Sequence, residues 1–290
     1  MPAAAEPAQV QKETGAEIIR SLSGEEVGPG AEWSIIALAR SPLAKEPEAV
    51  ALFTKYQENL RVQIKRAQGV LSKEQPTDNA KAAVALKMTG EDPADFEGYD
   101  LLDQLEDVEA VQGQGVNAEI WALIAAGCCE RELSCSDRYV EDVLKMQLEN
   151  GSFSFDGTTA DVDITAMAVQ ALQVNGGGDE ASSEEAPDAA ADAVQRAMDW
   201  LSSVQGSDGG FGNTESTAQV IIAAGYSGEA VASMAAFTKG DKTLVDGLMQ
   251  YRLEEGFRHK DEDSVDAMAT EQAMCAIDAV VLSEEGEPLF

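Results

Sequence analysis

Apolar residues recur at steps of three and four along almost the whole chain, as in Leu102, Leu105, Val108 and Val111, or Val194, Ala197, Met198 and Leu201. That period is helical, and strand signals are scarce. Two kinds of helix alternate. One is amphipathic and charged, as in Tyr139 to Gln147 and Ala191 to Gln205. The other is apolar nearly all round and rich in Ala, as in Ala160 to Val174 and Thr217 to Ala224. A helix apolar on every side is buried on every side. The alternation therefore predicts an all-α fold in which an inner ring of buried helices is wrapped by an outer ring of amphipathic ones.

The same pattern recurs as a unit. A Gln-containing, Gly-rich turn precedes an Ala-rich helix start. Gln147 to Phe153 leads into Ala160 to Ala168, and Gln205 to Phe211 leads into Thr214 to Ile221. Tyr251 to Phe257 leads into Ala269 to Met274. The spacing is roughly 53 residues, the scale of stacked helical pairs. Three weaker copies lie upstream, before Asn117, Asp78 and Glu32, where the turns have lost Gly-Gly-Phe. Six units predict an (α/α)6 double ring of about twelve helices, with buried helices starting near residues 31, 78, 117, 161, 215 and 267. Trp33, Trp121, Met167, Ile221 and Met274 are expected buried on these helices, and Trp200 on an outer helix packing inward.

Because the repeats span nearly all 290 residues, one domain is expected over residues 13–290. Residues 1–12 read as a flexible N-terminal tail. The acidic, Gly/Ser/Ala-rich stretch 175–193 reads as a loop insertion within one repeat.

Composition narrows the functional classes. A formal charge of −33 repels nucleic acid and anionic lipid surfaces. No apolar run is long enough for membrane insertion. The start, Met1-Pro2-Ala3-Ala4-Ala5-Glu6-Pro7, lacks the basic flank and apolar centre of a secretory signal, and reads as an initiator Met before a trimmed mature segment. Asp261-Glu262-Asp263 and Asp208-Gly209-Gly210 do not have EF-hand spacing. Cys275 sits mid-helix among apolar residues and reads as a buried thiol. Cys128, Cys129 and Cys135 leave open a disulfide to Cys135 or separate thiols. The one histidine, His259, is far from them, so a metal site is disfavoured and no cofactor is implied.

At the residues of the repeat, the chain resembles the α/α-toroid superfamily of terpene cyclases, protein prenyltransferases and transcobalamin-like proteins. The Gln…Gly-Gly-Phe turns resemble the QW-type repeats of squalene cyclases. Asp161-Val162-Asp163-Ile164-Thr165-Ala166 is similar to the Asp-x-Asp-Asp-Thr-Ala segment of class II cyclases. It is equally similar to a segment of bacterial surface proteins with a prenyltransferase-like or transcobalamin-like toroid domain. Gly98-Tyr99-Asp100-Leu101-Leu102, Gln114-Gly115-Val116-Asn117, Glu215 to Val220 and Ala269 to Ala273 resemble that second group as well. The resemblance covers roughly residues 15 to 283 and implies an extracellular or cell-surface location in a bacterium. It also implies a place beside another domain of a longer surface protein.

The enzyme readings weaken on inspection of the residues. A class II cyclase holds its middle Asp as a neutral, strong acid. Asp163 matches that position, but Ile164 stands where the motif carries a further Asp. A prenyltransferase-type zinc site lacks its histidine, since Ala269-Thr270-Glu271 occupies the expected place. A thioester is excluded, because Arg131 and Glu132 lie three residues beyond Cys128 and Cys129 where Gln is required.

In a toroid the inner helix starts converge on one mouth. Glu32, Trp33, Asp78, Asn117, Trp121, Asp161, Asp163, Glu215, Gln219, Glu271 and Gln272 would then ring a cavity floored by Ala, Met, Ile and Trp. Such a mixture suits a small molecule with an apolar body and polar edges. Three readings follow: a non-catalytic binding module for a corrinoid, isoprenoid-like or glycan ligand, a cyclase-like enzyme with Asp163 as general acid, and an architectural adhesin module. Capping competes with ligand contact at each helix start, because Asp, Ser and Thr there satisfy open backbone amides and acids complement the helix dipole.

Overall fold

In the computed structural model, residues 6–176 and 186–290 are described. Among them the fold is mostly helical, with little sheet. The α-helices are α1 (Pro7–Leu22), α2 (Glu32–Arg40), α3 (Pro47–Ala67), α4 (Thr77–Met88), α5 (Val108–Gln114) and α6 (Val116–Cys128). They continue with α7 (Ser136–Lys145), α8 (Val162–Gly176), α9 (Ala186–Val204), α10 (Thr214–Ala224), α11 (Leu244–Met249) and α12 (Ala267–Ser283). Short 3-10 turns fill several connections. The described sheet is one two-stranded antiparallel ribbon, Arg252–Leu253 against Gly256–Phe257. The Ala-rich helices α2, α4, α6, α8, α10 and α12 each start within one residue of the position the repeat predicts.

Three helix starts share one construction. Asp161, Asn213 and Asp266 precede α8, α10 and α12 and accept from the amides of Ile164, Ser216 and Ala269 at 2.9, 2.7 and 2.9 Å. Four residues after each cap stands Thr165, Thr217 or Thr270. Their hydroxyl oxygens accept from the amides of Phe153, Phe211 and Phe257 at 2.8, 3.0 and 2.9 Å. The turn is thereby fastened to the helix that follows it. The repeated glutamine fastens the other side. Gln147 Nε2 donates to the carbonyls of Gly151 and Ala193, and Gln205 Nε2 to those of Gly209 and Phe237, at 2.8–2.9 Å. Gln205→Ala strips both carbonyls of their donor in a buried setting and is expected to cost about 2–3 kcal/mol. Urea unfolding checks this; a loss below about 0.5 kcal/mol would show the clamp to be dispensable.

The chain divides into two compact units, the residues up to Tyr56 with Val204–Leu289, and Gln57–Ser203 with Phe290. In the first, α12 packs against α10, α2 and α1. Its core includes Ile35, Ile36, Val220, Ile221, Phe237, Phe257, Met274 and Ile277, all buried. In the second, α6 packs against α4, α8, α7 and α5. Leu86, Leu101, Ile120, Leu123, Tyr139 and Phe153 are buried there.

The N-terminal region differs from expectation. The stretch expected as a loose tail to residue 12 is helical from Pro7 and buries Val10 and Gln11, with Thr14 and Ile18 on the same face. Helical spacing of those four residues gives α1 a face to bury. Of the expected insertion at 175–193, α8 covers the beginning and α9 runs from Ala186, while 177–185 lie outside the described residues. Met167, Ile221, Met274 and Trp121 are buried as expected. Trp33 is only half-buried, and Trp200 is half-buried beside an open pocket of about 260 Å³ rather than packed inward. An indole is amphipathic, so partial exposure at a helix end or rim is a low-cost outcome.

Candidate functional site

In the first unit, neighbouring helix starts bring six of the candidate residues onto α2, α10 and α12. Gln219 Nε2 of α10 donates to Gln272 Oε1 of α12 at 2.9 Å, and both side chains are buried. Ser34 of α2 donates its hydroxyl to Glu271 Oε1 of α12 at 2.7 Å. Glu215 Oε2 lies 2.8 Å from His259 Nδ1. Glu32 is buried; its carboxylate accepts from the Gly30 amide at 2.9 Å and from the Tyr56 hydroxyl at 3.1 Å. Glu32 thus fixes its own helix start and tethers α3. Trp33 stands next to it, half-buried, and its carbonyl accepts a weak contact from the Cys275 thiol at 3.8 Å.

Acids at helix starts are expected to be ionised, because the dipole and open amides favour a carboxylate. Glu271 departs from this. Burial raises its pKa, the Ser34 hydroxyl opposes the rise, and the charges of Glu32 and Asp266 add to it. Hydrogen bonding to Glu215 raises the pKa of exposed His259.

In the second unit the candidates do other work. Asp161 is the N-cap of α8. Asp163 is half-buried on the first turn of α8, as is Asn117 on that of α6. Asp78 is half-buried and its pKa is raised by burial, against the pull of Lys81. Trp121 is 2% exposed. The Phe290 ring meets it edge-on at 6.2 Å, and the Lys81 ammonium lies 5.2 Å from its ring centroid. Trp121 is thus a core residue with a cation on its face.

Three further polar residues are buried: Asn79, expected beside Asp78 at its helix start, and Glu119 and Asp278, which escaped the sequence reading. Asn79 is fully buried, donates to the carbonyls of Gly69 and Leu101 at 2.8 and 3.0 Å, and accepts from the Leu71 amide at 2.8 Å. Glu119 is 5% exposed, and burial, followed by the nearby Asp142 charge, raises its pKa to about 7. Asp278 is fully buried, accepts from Gln11 Nε2 at 2.7 Å, and is pushed far above the carboxylate range by burial. The available signal was one acid inside an apolar run, Ile120-Trp121 after Glu119 and Ala276-Ile277 before Asp278.

All four cysteines carry thiols. Cys135 is buried, with its sulfur 3.5 Å from the Leu105 carbonyl. Among the described residues, no group of three or more His, Cys, Asp or Glu side chains is placed to hold a metal ion, and no helix is long and apolar enough to cross a membrane. Compared with known proteins, the chain matches no family model and no curated protein.

Proposed function

We propose that the chain is a non-catalytic, extracytoplasmic small-molecule-binding module, built as an α/α toroid of the terpene cyclase, prenyltransferase and transcobalamin type. It takes a corrinoid, isoprenoid-like or glycan ligand at the starts of its buried helices. One observation carries the reading: two hydrogen-bonded polar pairs across α10, α12 and α2, Gln219–Gln272 and Glu271–Ser34, with Trp33 next to Ser34 in the chain. Amide, hydroxyl and carboxyl groups held in fixed positions on a helical scaffold recognise the polar edges of a ligand, and the indole covers apolar surface.

Binding is favoured over proton-transfer chemistry by the Asp161 to Ile164 segment. A cyclase acid works within a carboxyl network that keeps it neutral. Here Asp161 is engaged as a helix cap, and Ile164 is a buried apolar residue where a further carboxyl belongs. The test is a calorimetric titration of the chain with a corrinoid, a polyprenyl compound and an oligosaccharide. One class is expected to bind without turnover, and Glu271→Gln and Trp33→Ala to weaken it about tenfold or more, about 1.4 kcal/mol. Product formation abolished by Asp163→Asn would overturn the reading in favour of an enzyme, and no saturable binding of any class would leave an architectural role.

A further inference from the structure

Trp200 takes no part in the binding role proposed above, and a sister copy of the repeat does without it. In the Gln205 copy, Gly209 lies against the Thr243 carbonyl and against Gly247, four residues beyond Thr243. In the Gln147 copy, Gly151 has φ +92° and lies against the Arg196 carbonyl, where an added methyl would sit at 2.5 Å. Four residues beyond Arg196 stands Trp200. One copy thus sets its turn on a glycine, and the other has an indole at the matching place. Beside that indole lies a trough of about 260 Å³. The turn Glu149–Gly151 forms one wall, and Arg196, Asp199, Trp200 and Ser203 of α9 form the other. Steps of three and four put these α9 residues on one helix face, and the whole trough belongs to the second unit. We propose that it is a second ligand site, separate from the helix starts, which takes one neutral pyranose ring laid flat on the Trp200 indole.

The wall residues supply both hydrogen-bonding senses beside an aromatic face. Asn150 Oδ1 accepts from the Ser152 amide and hydroxyl at 3.1 and 2.7 Å, which leaves its Nδ2 to donate into the trough. Asp199 takes one bond on Oδ1, from Gln195 Nε2 at 3.0 Å, and its other oxygen is left to accept. The exposed Glu149 carboxylate adds a second acceptor. Sugar hydroxyls donate to carboxylates and accept from an amide, while the ring C–H bonds cover the apolar indole.

Charge and size narrow the ligand further. Arg196 is already engaged, its Nε by Asp192 at 3.0 Å and its terminal nitrogen by Gln147 Oε1. The net field of the trough is therefore negative, which disfavours an anionic sugar. Sites for drug-sized ligands run to about 300–1,000 Å³, so this trough suits a single ring rather than a corrinoid or a polyprenyl chain. A β-glucopyranoside fits best, because its ring substituents are all equatorial and both of its faces are C–H surfaces.

The test incorporates fluorine-labelled tryptophan into the full chain, which has three tryptophans, and follows their fluorine resonances as methyl β-D-glucopyranoside is added. Trp33→Phe and Trp200→Phe assign the signals. The Trp200 resonance is expected to move saturably at roughly millimolar sugar, since one ring makes few contacts, and the Trp33 resonance to stay in place. Trp200→Ala is expected to weaken binding about tenfold or more, and Glu271→Gln to leave it unchanged. Should Trp200→Ala fail to fold, the titration of the unmutated chain still decides. A shift of Trp33 that Glu271→Gln removes would put the sugar at the helix starts and overturn the second site. An equal Trp200 shift with sorbitol, which has hydroxyls but no ring face, would overturn it too. So would a stronger shift with tetramethylammonium, which would mark a cation site, or no saturable shift at all.

Discussion

Gly209→Ala is expected to destabilise the chain by about 3–4 kcal/mol. Gly209 has φ +89°, in the left-handed region. A side chain there costs about 1–2 kcal/mol in backbone strain alone. The added methyl would also overlap the Thr243 carbonyl oxygen and press the Gly247 amide at 3.2 Å. These are backbone atoms of α11 and its cap, which cannot swing aside, and overpacking of that kind adds about 1–3 kcal/mol. The reciprocal contact is as tight, since a methyl on Gly247 would overlap the Gly209 carbonyl. The Gly209-Gly210-Phe211 turn therefore carries its glycines because two backbones touch there. Gly212 is the internal comparison: its φ is +86° but its surroundings are open, so Gly212→Ala should cost only about 1–2 kcal/mol. Urea unfolding of the two variants separates the terms, and equal losses would refute the contact argument.

Glu119→Gln is expected to change the pH dependence of stability by up to roughly 3 kcal/mol. The folded Glu119 titrates at about 7, against 4.5 ordinarily. Below about pH 4.5 the carboxyl is protonated in both folded and unfolded chains, and its contribution is fully present. As pH rises through the window to 7, the unfolded chain ionises it more readily than the folded one, and that contribution is lost. Above 7 both forms are ionised and the difference is constant. The glutamine variant lacks this slope, so at pH 8 it should exceed wild type in stability and at pH 4.5 match it. Asp142 does not blur the window. Its pKa is lowered despite burial by bonds from Lys145 and Gln112, so its contribution is lost only as pH falls below the usual aspartate range. Other titrating groups cancel in the comparison with wild type. Urea curves at pH 5 and pH 8 decide the matter; variant and wild type differing by the same amount at both would contradict it.

The helix starts were readable because each is written locally. Asp161, Asn213 and Asp266, with Thr165, Thr217 and Thr270 four residues on, act on turns within about a dozen positions of themselves. What those residues do was less readable. Asp161 reads equally as a ligand group or as a cap, and only its bond to the Ile164 amide separates the two. Groups whose partners are remote in sequence were missed. Gln11 and Asp278 meet across 267 positions, and neither has a local pattern that announces the other. The same contact explains α1: its first turns were read as a tail because their reason to be ordered lies on α12. Trp33 looked like core because its helix is apolar all round, yet it is half-buried while Glu32, Ser34 and Ile35 of the same turn are buried, a difference between neighbours that the sequence pattern does not encode.

The central claim is that ligand is held at the starts of α2, α10 and α12. Hydrogen–deuterium exchange with and without the ligand class that binds in titration tests it most directly. Slower exchange is expected in residues 31–36, 214–220 and 269–274, with no such protection in Glu271→Gln at the same ligand concentration. Protection confined to other segments, or protection that Glu271→Gln leaves unchanged, would contradict it.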